Sequence, residues 1–210
     1  MNIAWILYPV KVLGPGDRLG IWVSGCRRRC QGCSNPELWE RQPQYKIALP
    51  RLKKLIEGMA AKHTIDGFTI SGGEPFEQSK ELSELIVFLR AISDDILVYT
   101  GYSADELREN LSDDVKSILD SIAVLIDGEY IEERNTDVML RGSDNQTISI
   151  LNPKYKEKYH KYIETGYNQI QNFTTIDGLV SVGIHRKGFT NSKVRQLFQR
   201  NMSNEGDDQQ

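Results

Sequence analysis

Strand-like and helix-like segments alternate along most of this 210-residue chain, and no other feature limits its fold so strongly. Short apolar runs at 20–24, 66–71, 95–100 and 121–127 each lead into a glycine: Gly25, Gly72, Gly101 and Gly128. A fifth run follows at 146–151. Between them the spacing is helical. Leu52, Leu55, Ile56 and Met59 share one face of 51–62, and Leu82, Leu85, Ile86 and Leu89 share one face of 78–92. Ser103, with Glu106 three residues on, has the form of a capping box and opens a helical stretch to about residue 120. A polar helix at 153–164, a strand at 179–184 and a helix at 192–200 complete the pattern. Residues 203–210 are polar enough to form a disordered tail. Strand, loop and helix in repetition predict parallel strands joined by right-handed crossovers. A closed eight-stranded barrel takes about 250 residues. The expected fold is therefore α/β, a partial (βα)-type open barrel with a mostly parallel sheet, in a single domain over 1–202.

Sheets of this kind carry their chemistry at the carboxyl ends of the strands. The unusual residues of the chain fall there. All three cysteines, Cys26, Cys30 and Cys33, lie in one eight-residue window after the first expected strand. Gly72-Gly73-Glu74-Pro75 follows the second, Gly101-Tyr102 the third and Asp127-Gly128 the fourth. An odd number of clustered cysteines is poor disulfide material and points to metal or redox chemistry. Three thiolates can hold three irons of a cubane and leave the fourth iron open, whereas a closed electron-transfer cluster takes four. The rival metal is zinc, which wants a fourth ligand, usually His. Of His63, His160 and His185, only His185 stands at an expected strand end. Arg27, Arg28 and Arg29 form either a solvated basic loop or a docking surface for an acidic partner.

Composition narrows the partners. Hydrophobic residues at 39% and charged residues at 26% fit a soluble globular chain. A net charge of −3 argues against nucleic acid as a partner. The apolar runs are too short to span a bilayer, and 1–10 has no cleavable-signal pattern, so no membrane partner and a cytoplasmic location are expected.

The triplet Cys26-x3-Cys30-x2-Cys33 resembles the signature of the radical S-adenosylmethionine superfamily. Five blocks narrow the resemblance to the anaerobic ribonucleoside-triphosphate reductase activating proteins, which are glycyl-radical enzyme activating enzymes. These are Gly25-Cys26 through Trp39, Ser71-Gly72-Gly73-Glu74-Pro75-Phe76, Tyr99-Thr100-Gly101-Tyr102, Asp127-Gly128-Glu129-Tyr130 and Arg141-Gly142-Ser143-Asp144-Asn145-Gln146. They occur in the family's order between about residues 14 and 150.

The resemblance implies a [4Fe-4S] cluster on Cys26, Cys30 and Cys33, with one iron open to S-adenosylmethionine. It implies reductive cleavage of that cofactor to a 5′-deoxyadenosyl radical, and transfer of the radical to a glycine of a partner enzyme. A flavodoxin- or ferredoxin-type donor would supply the electron. Gly72, Gly73 and Glu74 are the expected cofactor-binding segment, since paired glycines let backbone approach a ligand closely. Arg141 and Ser143 are further candidates, the guanidinium as a fork for the cofactor's carboxylate. Asp17, Arg18, Tyr99, Tyr102 and Asp127 have both structural and functional readings. Compact members of the family end soon after the Arg141-Gly142-Ser143 block, whereas this chain continues for about 60 residues. That extension keeps a second target class open, a small molecule or a ribosomally made peptide. A non-catalytic iron–sulfur or zinc module is the remaining alternative.

Overall fold

The computed structural model describes residues 1–175 and 178–193. Six strands form one open sheet in chain order: β1 (Ile3–Val10), β2 (Arg18–Val23), β3 (Gly67–Gly72), β4 (Ile96–Tyr99), β5 (Val124–Asp127) and β6 (Thr147–Ile150). The strands β2 to β5 are parallel neighbours. Each of their connections carries helix, as a parallel crossover requires. These helices are α1 (Leu49–Ala60), α2 (Ser79–Leu89), and α3 (Ala104–Glu109) with α4 (Asp113–Leu119). The edges β1 and β6 run antiparallel to their neighbours. The stretches 11–17 and 128–146 carry no α-helix, so they turn the chain back instead of crossing over.

Three expectations change here. The strand β1 precedes what the sequence suggested was the first strand. The segment at 146–151 is antiparallel, for want of a crossover helix before it. The helix expected from Ser103 to about 120 is two helices. The capping box of Ser103 and Glu106 opens α3 as expected, and a second N-cap, Ser112, accepts from Val115 N–H to start α4.

Side-chain alternation places the two cores. Leu19, Ile21, Phe68, Ile70, Ile96 and Val98 face the helices and pack on the buried stripe Leu82, Leu85, Ile86 and Leu89 of α2. Trp5, Leu7 and Trp22 face the other way, as do Leu97, Val124 and Ile126. That second face is covered by the C-terminal part of the chain. Helix α5 (Lys156–Thr165) brings Tyr159 onto Leu97 and Val124, and an antiparallel hairpin, β7 (Ile170–Thr175) and β8 (Gly178–Gly183), brings Val180 and Val182 onto the Trp5–Trp22 cluster. The late strand expected at 179–184 is therefore half of a separate hairpin and lies outside the main sheet. The expected helix at 192–200 and tail at 203–210 lie, from 194 onward, outside the described residues. Among the described residues no helix is long and apolar enough to cross a membrane.

Arg18 is wholly buried at the amino end of β2. Its Nε donates to Thr69 Oγ1 at 2.7 Å, its Nη2 to the Asp95 carbonyl at 3.0 Å, and its Nη1 stands 3.2 Å from Asp95 Oδ1. Asp95 also receives Lys158 Nζ and Tyr159 OH, each at 2.6 Å. This network joins β2, β3, β4 and α5 at the pole opposite the cysteines. Asp17 pairs with Lys11 at the surface, 3.2 Å apart. The site role weighed for Asp17 and Arg18 is thus replaced by a structural one.

Candidate iron–sulfur and cofactor site

The loops leaving the carboxyl ends of β2, β3, β4 and β5 converge on one cavity. Its wall includes Cys26, Cys30 and Cys33, then Gly72, Gly73 and Glu74, then Thr100 and Gly101, then Gly128 and Tyr130. Strand pairing continues past the ends of β2 and β3 and fixes two of these loops together. Gly73 N–H donates to the Val23 carbonyl and Glu74 N–H to the Gly25 carbonyl, both at 2.8 Å. The approach leaves no room for a side chain. A Cβ on Gly73 would stand 2.4 Å from the Gly25 carbonyl oxygen, and one on Gly72, whose φ is +110°, would stand 2.4 Å from that of Val23.

Glu74 is buried and stitches β3 to β4. Its Oε1 accepts from Thr100 Oγ1 at 2.8 Å and Phe76 N–H at 3.0 Å, and its Oε2 accepts from Gly101 N–H at 2.8 Å. Burial pushes its carboxyl up to about 7, against the pull of these donors. Each cysteine sulfur is also partly buried. Burial pushes the Cys30 thiol up to about 11 and raises Cys26 and Cys33, while backbone N–H groups of Arg28, Arg29, Tyr130 and Asn35 act in the opposite direction. Three thiolates here need a metal's positive charge.

The donor set fits a cubane. Three thiols, Cys26, Cys30 and Cys33, border one cavity. A cubane takes each sulfur on a different iron and leaves the fourth iron open. His185, the zinc reading's fourth ligand, does reach the cavity wall. Its ring stacks on Phe189 with centroids 3.6 Å apart, its Nε2 lies 3.0 Å from Ser181 Oγ, and burial lowers it to about 4.

The remaining candidates divide. Gly142 lines the cavity, but Arg141 and Ser143 do not. Arg141 Nη1 donates to the Gln146 carbonyl at 3.0 Å, and Ser143 Oγ, fully buried, accepts from Ile131 N–H at 3.2 Å. Gln146 locks this loop: its Oε1 accepts from Gly142 N–H and its Nε2 donates to the Gly128 carbonyl, both at 2.8 Å. Tyr99 borders the cavity with its hydroxyl donated to the Leu140 carbonyl at 3.0 Å. Arg28 lies over the Tyr102 ring, 4.4 Å from its centroid. Asp127 accepts from Ala104 N–H at the start of α3, 2.9 Å away. The basic run is paired residue by residue, Arg27 with Glu77, Arg28 with Glu106 and Arg29 with Glu40, so it presents little net positive charge.

One wall comes from the C-terminal extension, where the sequence gives an extra strand and loop but not their place beside the cysteines. Ser181, Val182, Gly183 and Ile184 of the C-terminal hairpin and its exit face the cysteines across the cavity. Asn191 holds them there. Its Nδ2 donates to Asn35 Oδ1 at 2.7 Å and to the Ser181 carbonyl at 3.0 Å, its Oδ1 accepts from Ser181 N–H at 2.7 Å, and its own N–H reaches the Ser34 carbonyl at 3.0 Å.

A parallel sheet with a three-cysteine loop at its carboxyl edge defines an iron–sulfur protein of the single-cluster kind. Residues 12–149 match the family described as 4Fe-4S single cluster domain. The anaerobic ribonucleoside-triphosphate reductase-activating protein of Enterobacteria phage T4 is 31% identical over 147 residues, covering 68% of this chain and 90% of that protein. Those of Escherichia coli K12 and Vibrio cholerae serotype O1 are each 32% identical, over 150 and 148 residues, covering 67% of this chain and 94% and 93% of their own lengths. This chain belongs to the family of anaerobic ribonucleoside-triphosphate reductase-activating proteins. It is longer than the relatives it matches, and the cavity wall from Ser181 to His185 lies beyond the matched family segment.

Proposed function

We propose that this chain is a radical S-adenosylmethionine enzyme that installs a glycyl radical on an anaerobic ribonucleotide reductase. The observation that carries the proposal is the meeting of Cys26, Cys30 and Cys33 with Gly72, Gly73 and Glu74 around one cavity. When bound, a reduced [4Fe-4S] cluster would supply the electron that breaks the sulfur–C5′ bond of S-adenosylmethionine, leaving methionine and a 5′-deoxyadenosyl radical. The three cysteines would hold the cluster. The backbone of Gly72 and Gly73 gives a ligand close approach, and Glu74 fixes that backbone against Gly101 and Thr100. The cavity walls keep water from a reactive radical. A flavodoxin- or ferredoxin-type protein would serve as the electron donor. The finer fold reading, an incomplete (βα) barrel, goes with this function, because an open side admits a loop from a macromolecule.

The test is anaerobic reconstitution, reduction with dithionite in the presence of S-adenosylmethionine, and chromatography for 5′-deoxyadenosine. Addition of an anaerobic ribonucleotide reductase should then give a glycyl-radical resonance signal. Protein that holds a cubane yet forms no 5′-deoxyadenosine would overturn the proposal. The C-terminal wall favours the second target class, a small molecule or a peptide. Cofactor cleavage without any radical on the reductase would support that alternative.

A further inference from the structure

The cavity has a wall that the matched family segment does not supply. Ser181 to His185 border it from well beyond residue 149, where that segment ends. Apolar packing seats the wall on the sheet, with Val180 and Val182 in the cluster around Trp5 and Trp22. Such packing is non-directional, so it does not by itself set where the wall stands relative to the thiols.

Asn191 supplies the directional joint. It is buried, and it uses both ends of its amide and its backbone. Towards the wall, Oδ1 accepts from Ser181 N–H at 2.7 Å and Nδ2 donates to the Ser181 carbonyl at 3.0 Å. Towards the cysteine loop, Nδ2 donates to Asn35 Oδ1 at 2.7 Å and the backbone N–H to the Ser34 carbonyl at 3.0 Å. Ser34 and Asn35 directly follow Cys33, and the Asn35 N–H donates to Cys33 Sγ at 3.4 Å. One side chain thus joins the backbone of β8 to the two residues beside a thiol.

We propose that Asn191 is a positioning residue for the iron–sulfur site, holding the C-terminal wall against the cysteine loop and so screening the site from reagents in solvent. This rests on the cluster part of the function proposed above and not on cofactor cleavage. A cubane on three cysteines has one iron without a thiolate, so the walls of the cavity control its exchange with solvent. Truncating the amide leaves the buried Ser181 N–H without its acceptor and cuts the tie to Asn35, so the wall opens more often.

The test loads the protein with its cluster under anaerobic conditions, adds bathophenanthroline disulfonate, a bulky anionic chelator, and follows iron release by absorbance. The wild type is compared with Asn191→Ala, Asn35→Ala and Ser112→Ala. Ser112 caps α4 through Val115 N–H and does not border the cavity, so its variant reports what ordinary local destabilisation does to iron release. Asn191→Ala should release iron about tenfold faster or more, Asn35→Ala should be faster by a smaller factor, and Ser112→Ala should match the wild type. The double variant Asn35→Ala with Asn191→Ala should be no faster than Asn191→Ala alone, because the Asn35 amide acts through Asn191. Release from Asn191→Ala at the wild-type rate, or equal acceleration in Ser112→Ala, overturns the inference. If Asn191→Ala fails to fold or to hold a cluster, Asn35→Ala decides, since it leaves both Asn191 bonds to Ser181 in place; an unchanged rate there overturns the inference. Failure of the wild type to form any cubane would remove the proposed function, and the inference with it. A normal cubane with unchanged release removes the inference alone.

Discussion

Asp95→Ala tests the buried network beneath the sheet most directly. Asp95 is 1% exposed and, among the described residues, is the only carboxylate paired with Arg18, which has no exposed surface. Its loss leaves the guanidinium among the Asp95 and Pro15 carbonyls and the Thr69 hydroxyl, with no countercharge. Removing one partner of a buried pair costs about 3–5 kcal/mol, because the other charge stays desolvated. Lys158 adds little to this, since its side chain is 39% exposed and turns to water. For a domain of about 200 residues each kcal/mol moves Tm by about 2–4 °C, so a fall of about 6–20 °C is expected. Urea denaturation of the cluster-free, reduced protein should show the loss as a lower midpoint at constant slope. The double substitution Arg18→Met with Asp95→Leu removes both charges and should cost less than Asp95→Ala alone. A loss below about 1 kcal/mol for Asp95→Ala would refute the reasoning, because water would then be reaching a guanidinium that the packing encloses.

Three further predictions concern the site. Glu74, pushed up to about 7 from 4.5, holds its proton more tightly folded than unfolded. Stability of the cluster-free protein should therefore fall as pH rises from about 4.5 to about 7, by an amount of order 3 kcal/mol, and level off above; Glu74→Gln should flatten that slope in pH-dependent denaturation. In Gly73→Ala the new Cβ meets the Gly25 carbonyl oxygen at 2.4 Å, backbone against side chain with nothing flexible to yield. The cysteine loop must shift at a cost of about 1–3 kcal/mol, and iron content after reconstitution should drop while the circular dichroism spectrum is retained. Asn191→Ala leaves the buried Ser181 N–H without its acceptor, so hydrogen exchange at that amide should accelerate by about ten- to a hundredfold, read by mass spectrometry.

The parts of the fold carried by local pattern were readable in the sequence. The buried stripe of α2 and the capping box of Ser103 and Glu106 stand where their spacing put them, and the four glycine-ended strands carry the cavity at their carboxyl ends. The strand β1 is written in the sequence as an unbroken apolar run from Ile3 to Tyr8, without the alternation that marks a half-buried strand, and its period of two appears only in which side chains the fold buries. The break between α3 and α4 was also signalled, by Ser112 standing three residues before Val115. The strand β7 was not readable, since Ile170–Thr175 is mostly polar and takes its place from pairing with β8. In the site, the cysteines and Gly72-Gly73-Glu74 were visible as types and spacing. The fixing of Arg141 by Gln146 and the Asn191 latch are long-range or geometric facts, and no local pattern encodes them.

The Asn191 latch also gives the site a history in time. Asn191 and Asn35 are 156 positions apart, so a ribosome adding about 5–20 residues per second takes about 8–30 s to travel from one to the other. Through that interval the thiols have left or are leaving the exit tunnel while the segment that will enclose them does not yet exist. A nascent chain of this protein is therefore open to iron delivery, and to damage by oxidants, from a side that the finished molecule has closed.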